Sequence, residues 1–232
     1  MWWFYHLANA VLGILFRLLL DVHVTGVENV PRHGPFIVIM NHLYFLDPVL
    51  VAGYVPREIV MMSKVENFFN PLFALIITLY GAFPIRRGEV DRRALRRSVE
   101  ALKSGRGLLI SPEGTRSKVT RALQEGKDGT ALLALKTGAP ILPVALSGQE
   151  HFLTNLRRLR RTPVRIAIGR PFRLRPPNTK LERHHLHEMT QEIMYILSAL
   201  LPPRYRGVYA DLEKATTQYI EFLTAPAEGG IT

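Results

Sequence analysis

The chain has 232 residues, 47% of them hydrophobic, enough for one sizeable core and a single domain with appendages. Its 30 Lys and Arg against 19 Asp and Glu leave a formal net charge of +11, which implies an anionic partner: nucleic acid, an anionic lipid surface or a phosphorylated substrate. Cysteine is absent, and that excludes a disulfide framework, a cysteine nucleophile, a zinc finger and a thiolate metal site.

Residues 1 to 20 are strongly apolar and open on Trp2, Trp3, Phe4 and Tyr5, amphipathic aromatics that favour a membrane interface. Within them His6, Asn9, Gly13 and Arg17 recur every three or four positions, so a helix would carry one narrow polar or small stripe. That pattern suits a helix lying in one leaflet, and residues 1–21 are assigned to such a membrane-interface helix. A spanning helix ranks behind it, because Arg17 would be costly at depth, and a buried core helix ranks third. A cleaved signal peptide is not expected, since no basic residue precedes the apolar run.

Residues 22 to 30 read as a short strand and turn, and Phe36 to Met40 as a buried strand. Asn41, His42 and the residues to Asp47 and Pro48 follow, where Asp suits a helix cap and Pro the first helical turn. His42 therefore sits where a strand gives way to a helix, beyond the carboxyl end of the strand, where ligands collect in α/β folds. On a continuous helix, residues five apart lie about 140° around the axis and could not meet. With a bend between them, Asp47 can accept from one imidazole nitrogen and leave the other to take a proton from a substrate hydroxyl. In the plainer alternative Asp47 caps the helix and His42 packs.

A helix over 49–54 and a strand over 59–62 continue an α/β order. Asn70 and Pro71 then start a helix whose Leu72 to Tyr80 are apolar almost all round, which reads as core, with an acyl-chain groove or bilayer contact as the alternative. A brief strand covers 83–85. Asp91 caps a helix from Arg92 to Lys103 with Leu95, Val99 and Leu102 on the buried face. The strand Gly107 to Ile110 delivers Ser111 to Ser117, and a helix over 130–137 stops at Gly138.

The strand 141–146 contains Pro143 and follows Pro140, which argues for an edge, a bulge or a special backbone path. Val164 to Ile168 alternates as a half-exposed strand, and a long helix over 180–201 points Leu181, Leu186, Met189, Ile193, Leu197 and Leu200 inward. His184, His185 and His187 lack the i, i+4 pair of a helical metal site, so no metal is assigned. Arg92, Arg93, Arg96 and Arg97 form one basic cluster; Arg157, Arg158, Arg160 and Arg161 form another. Each is a solvated helix face or part of a membrane face. Without an aromatic-rich RNA-binding signature, an anionic membrane surface accounts for the charge better than nucleic acid does.

Four stretches together resemble the glycerolipid acyltransferase family, enzymes that acylate lysophosphatidic acid at the sn-2 position. Asn41, His42 and Asp47 match its first motif. Gly81-Ala82-Phe83-Pro84 with Arg87 and Gly88 match the second, leaving Arg86 at a variable place. Pro112 to Ser117 match the third in full, with Ser111 where the family usually has Phe, and Ala139 to Ala145 match the fourth. The resemblance implies a single α/β domain with a mixed, largely parallel central sheet flanked by helices over residues 22–212, after the interface helix and before a C-terminal extension over 213–232.

It also implies transfer of a fatty acyl group from acyl-CoA or acyl carrier protein to lysophosphatidic acid or a related lysolipid, by direct attack. His42 would be the general base, oriented by Asp47. Arg87 and Arg116 would bind phosphate, Glu113 and Thr115 would place the glycerol or order the loop, and backbone donors near Gly114 would hold the oxyanion. Lys103 and Lys127 are further cations that nothing local singles out. A local Glu113–Arg116 ion pair is the non-functional alternative for those two residues. No covalent acyl-enzyme is implied, since Gly-x-Ser-x-Gly is absent, and neither a metal nor a bound cofactor is required. The chain is expected to be membrane-associated at the cytoplasmic face, monotopic or peripheral. The rivals are an acyltransferase for another lysolipid and a non-catalytic basic protein that binds anionic membranes.

Overall fold

The computed structural model describes residues 2–86, 91–117 and 119–223, with side chains from Trp3 onward. The elements run α1 (Trp2–Leu19), β1 (Leu20–Thr25), β2 (Phe36–Met40), α2 (Asp47–Tyr54), β3 (Ile59–Lys64), α3 (Pro71–Leu79), β4 (Ala82–Ile85) and α4 (Arg92–Lys103). They continue through β5 (Gly107–Ile110), α5 (Gly129–Thr137), β6 (Ile141–Ser147), α6 (Phe152–Arg157), β7 (Thr162–Ile168), β8 (Phe172–Leu174), α7 (Arg183–Ala199) and β9 (Ile220–Phe222). Alternation of strand and helix with crossover connections produces a sheet ordered β1-β7-β6-β2-β5-β3-β4. Its neighbours are parallel except β6–β7, and β8 joins β6 and β9 by antiparallel pairing. The sheet is thus mixed and mostly parallel, as expected.

Both faces of the sheet are covered, which is why β2 is apolar at every position. Its odd residues Ile37 and Ile39 enter the core under α4, α5 and α7, while Phe36, Val38 and Met40 enter the core under α1 and α2. β2 lies at the centre, between β5 and β6, so its carboxyl end is surrounded by the ends of both neighbours. The loop carrying His42 and the loop carrying Glu113 leave the sheet side by side.

Several elements depart from the sequence reading. β6 is a central strand, not an edge. Pro143 is tolerated there because its carbonyl, and with it its missing N–H, faces the break between β7 and β8; Gly169 donates to that carbonyl at 2.8 Å. In α4 the buried residues are Ala94, Ser98, Ala101 and Leu102, with Leu95 and Val99 only partly covered, because small residues let this arginine-rich helix sit close to the sheet. Leu181 precedes α7 and is exposed, while Met189, Ile193, Met194 and Leu197 make the buried stripe.

α3 is not core: it has no buried residue, and Leu72 is 69% exposed. The expected cap is present, Asn70 accepting from the Phe73 N–H at 3.0 Å. What the sequence could not supply is a partner for its outer face. α1 turns Tyr5, Asn9 and Phe16 inward, while His6 and Arg17 of the expected polar stripe are exposed: Tyr5 and Asn9 donate to the Ala52 carbonyl near the end of α2, and the Tyr80 hydroxyl donates to Asn9. Its apolar face points away, with Trp3, Leu7, Val11, Ile14 and Leu18 exposed. Near the other terminus, Tyr205, Tyr209 and Tyr219 are buried, and β9, from the segment set apart as an extension, pairs with β8.

Candidate active site

A side chain extends the β2–β6 ladder one step beyond Met40. The Asn41 carboxamide accepts from the Leu146 N–H at 2.8 Å and donates to the Leu146 carbonyl at 2.9 Å, so it behaves as one more rung. The chain then doubles back. Asp47 Oδ2 accepts from His42 Nδ1 at 2.9 Å and from the Leu43 and Tyr44 N–H groups at 2.6 and 2.7 Å. The bend needed to bring residues 42 and 47 together is held by these bonds. Asp47 therefore does not cap α2, whose N-cap is Leu46 without a side-chain bond. Asp47 is fully buried, and its Oδ1 accepts from Gln149 Nε2 at 3.0 Å.

Because a carboxylate only accepts, the Asp47 contact fixes the proton on Nδ1 and leaves Nε2 as the ring's basic nitrogen. Nε2 has no hydrogen-bond partner among the described residues, and His42 lines a cavity of about 270 Å³. The cavity has an apolar floor of Met40, Met61, Met62, Leu109 and Ile110, with Ile85 beside it, and among the described residues two cations, Arg86 and Lys127. A larger cleft of about 660 Å³, bordered by Asp21, His23, Arg165 and Pro202, shares no residue with it.

The loop after β5 is stitched to the His42 loop through Glu113, which is 2% exposed. Glu113 Oε1 accepts from the His42 N–H at 3.1 Å and Oε2 from the Gln124 N–H at 3.0 Å. The Ser117 N–H donates to the His42 carbonyl at 2.8 Å. Burial pushes the Glu113 carboxyl up to about 7; the two N–H bonds restrain the rise and the nearby Asp47 charge adds to it. Both oxygens are taken by backbone donors, so Glu113 orders the two loops and forms no ion pair with Arg116.

Gly114 suits its place by its backbone, and a side chain there would crowd Lys127. Its φ is +69°, and a Cβ there would lie 3.1 to 3.2 Å from the Lys127 side chain. The Lys127 N–H donates to the Pro112 carbonyl at 2.9 Å, which lays that side chain across the glycine. The Gly114 N–H, a sequence candidate for the oxyanion, is bonded to the Ser111 carbonyl at 3.0 Å. Thr115 is exposed and Arg116 half-buried, and neither lines the cavity. Arg87 lies outside the described residues.

Four residues of the site were not assigned from sequence: Gln149, Arg86, Lys127 and Ser111. Gln149 is 102 positions from Asp47, and the one signal available was its place just past the end of a buried strand. Ser111 lines the cavity, and its Oγ is buried without a partner among the described residues. His184, His185 and His187 lie far along the chain, at the start of α7; His185 Nδ1 accepts from the Glu182 N–H and completes that helix's capping box. Among the described residues no group of three or more His, Asp or Glu is placed to hold a metal.

The mixed, mostly parallel sheet thus carries a buried His–Asp pair beyond its central strand, opening on a cavity lined by apolar side chains and cations. The Acyltransferase family model matches residues 21–147, and the chain belongs to this family. It is 29% identical over 137 residues to a 1-acyl-sn-glycerol-3-phosphate acyltransferase of Borreliella burgdorferi, a match covering 57% of this chain and 54% of that protein. The chain thus matches about half the length of this relative. It is 30% identical over 209 residues to a lyso-ornithine lipid O-acyltransferase of Pseudomonas aeruginosa, covering 82% of this chain and 74% of that one. The crystal structure of the 1-acyl-sn-glycerophosphate acyltransferase of Thermotoga maritima superposes with a TM-score of 0.61 at 30% identity, covering 85% of this chain and 75% of that chain.

Proposed function

We propose that the chain is a 1-acyl-sn-glycerol-3-phosphate acyltransferase that moves a fatty acyl group from acyl-CoA or acyl carrier protein to the sn-2 hydroxyl of lysophosphatidic acid. The observation that carries this reading is His42: Nδ1 tied to buried Asp47, Nε2 unpartnered, and the ring on a cavity with an apolar floor and two cations. In this mechanism Nε2 takes the hydroxyl proton as the oxygen attacks the thioester carbonyl carbon. The tetrahedral oxyanion then collapses, the C–S bond breaks, and the departing thiolate takes the proton from His42. Asp47 holds the tautomer and stabilises the imidazolium.

The apolar floor suits an acyl chain. Arg86 and Lys127 suit the phosphate of the acceptor, with Arg116 and Arg87 assigned to it by the family motifs. Glu113 and Asn41 act by fixing where the two loops stand. Gly114 makes room for Lys127.

Membrane association at the cytoplasmic face, monotopic or peripheral, completes the proposal. Among the described residues no helix is long and apolar enough to cross a membrane. The outward apolar face of α1 and the uncovered α3 support attachment to one leaflet. A second acceptor is favoured by one observation, the likeness to the lyso-ornithine lipid O-acyltransferase over 82% of the chain.

The test is release of free coenzyme A by the purified protein in mixed micelles, with acyl-CoA as donor and lysophosphatidic acid or lyso-ornithine lipid as acceptor. Release that needs an acceptor and falls by ~10² to 10⁴ in a folded His42→Ala variant is the expected outcome. Equal rates in the two proteins would remove His42 from the mechanism. Silence with both acceptors, and with acyl carrier protein as donor, would overturn the enzyme.

A further inference from the structure

α6 ends in a Schellman motif: the Arg160 N–H donates to the Asn155 carbonyl at 3.0 Å and the Leu159 N–H to the Leu156 carbonyl at 3.0 Å. The residue that must adopt the left-handed conformation in such a motif is normally glycine. Here it is Leu159, with φ +52°, and its side chain is 94% exposed. A leucine in this place gains nothing from packing and carries backbone strain that glycine would not. It is flanked by Arg157, Arg158, Arg160 and Arg161, all exposed. Among the described residues no ion pair is made by Arg157, Arg158 or Arg160.

The position of this tip adds to its chemistry. The Arg161 guanidinium donates to the Leu20 carbonyl from Nε at 2.9 Å, which ties the loop to the point where α1 ends. The apolar outer face of α1 runs up to the same point, with Leu18 exposed. At its other end α6 joins the catalytic loop. Gln149, in the turn just before α6, donates to Asp47 at 3.0 Å. Leu153 and Leu156 are exposed along α6.

We propose that the α6–β7 turn is a second membrane anchor, in which Leu159 enters the acyl region of an anionic leaflet while Arg157, Arg158 and Arg160 hold its phosphates. The inference rests on the membrane-associated reading above and adds to it the segment that docks the His42 end of the molecule. Charge complementarity favours a bilayer over an acidic protein partner, because the strained residue is apolar and projects alone, as a wedge into lipid requires. With α1 and this turn both attached, the cavity mouth is held at the surface where the lysolipid arrives.

The test uses the full chain and two classes of variant. Retention is measured on vesicles of phosphatidylglycerol with phosphatidylcholine, and thermal unfolding on the same samples. Leu159→Gly and Leu159→Asn suit a left-handed φ, so both should keep or raise the melting temperature. Their vesicle partitioning should fall about fivefold to tenfold, with an unchanged salt dependence. Arg157→Gln with Arg158→Gln should lower partitioning by about tenfold or more and flatten its salt dependence. Coenzyme A release in excess detergent micelles should match wild type in all of them.

If wild type is retained and the Leu159 variants are retained equally, the inference falls and the membrane reading stands. If wild type is not retained, both fall. If the Leu159 variants keep vesicle binding but lose binding to acyl carrier protein, the turn is a protein dock and the proposal is overturned.

Discussion

At the residue scale the site depends on carboxylates that accept from backbone. Asp47 is held by two N–H groups, one imidazole and one carboxamide, and Glu113 by two N–H groups. They differ in what surrounds them. Glu113 is pushed up to about 7 by burial, against about 4.5 in an unfolded chain. The native state therefore binds this proton more tightly than the unfolded state, so the stability linked to it is present below pH 4.5 and is lost as pH rises through 7. The loss amounts to about 3 kcal/mol. Glu113→Gln removes the titration and leaves one backbone N–H without an acceptor. Urea unfolding should find the variant about 1 to 3 kcal/mol less stable than wild type at pH 5, and the gap should narrow by pH 8. A gap that widens with pH would contradict the raised carboxyl.

At the element scale, one buried carboxyl group holds the segment that leads into β9. Glu192 on α7 accepts from the Thr216 hydroxyl at 2.7 Å and from the Gln218 and Tyr219 N–H groups at 2.6 and 2.9 Å. These bonds bring the segment before β9 onto the helix, after which β9 can pair with β8. Glu192→Ala should cost about 3 kcal/mol, and hydrogen exchange should show β9 amides losing protection while β2 amides keep theirs. Uniform loss across the sheet would mean that β9 is not a separable unit. The same scale shows where periodicity was a sufficient guide: β5 and α4 have the bounds expected of them, because a cap or a glycine marks their ends. α3 reads as core on an equally clear pattern, yet only Ile77 packs against the core and its outer face is exposed.

At the scale of the whole molecule, the uncovered face of α3 and the outer face of α1 form one side of the structure, and the surplus of positive charge gives the chain an attraction for anionic lipid. Ile14→Asp combined with Leu72→Asp removes two apolar side chains that are mostly exposed. Retention on phosphatidylglycerol vesicles should fall at least tenfold, with the melting temperature within a few degrees of wild type. Unchanged retention would place the membrane contact elsewhere, and a large loss of stability would show that these residues serve the fold.

The sequence by itself determined the bounds of β5 and α4, the caps Asn70 and Asp91, the His42 and Glu113 loops and the α/β order, because these follow from local periodicity, turn chemistry and motifs read within a few residues. It also singled out His42 and Asp47 as a pair, since a bend of five residues is a local matter. The tertiary structure decided the rest. Gln149 reaches Asp47, and Leu146 answers Asn41, across more than a hundred residues of chain, and no local pattern encodes such a distance. Whether an apolar helix face is core or surface depends on what lies opposite it, so α3 and the inward placing of Tyr5, Asn9 and Phe16 on α1 were settled by packing. The centrality of β6 was settled by strand pairing, which gave Pro143 a flank where its missing N–H costs nothing.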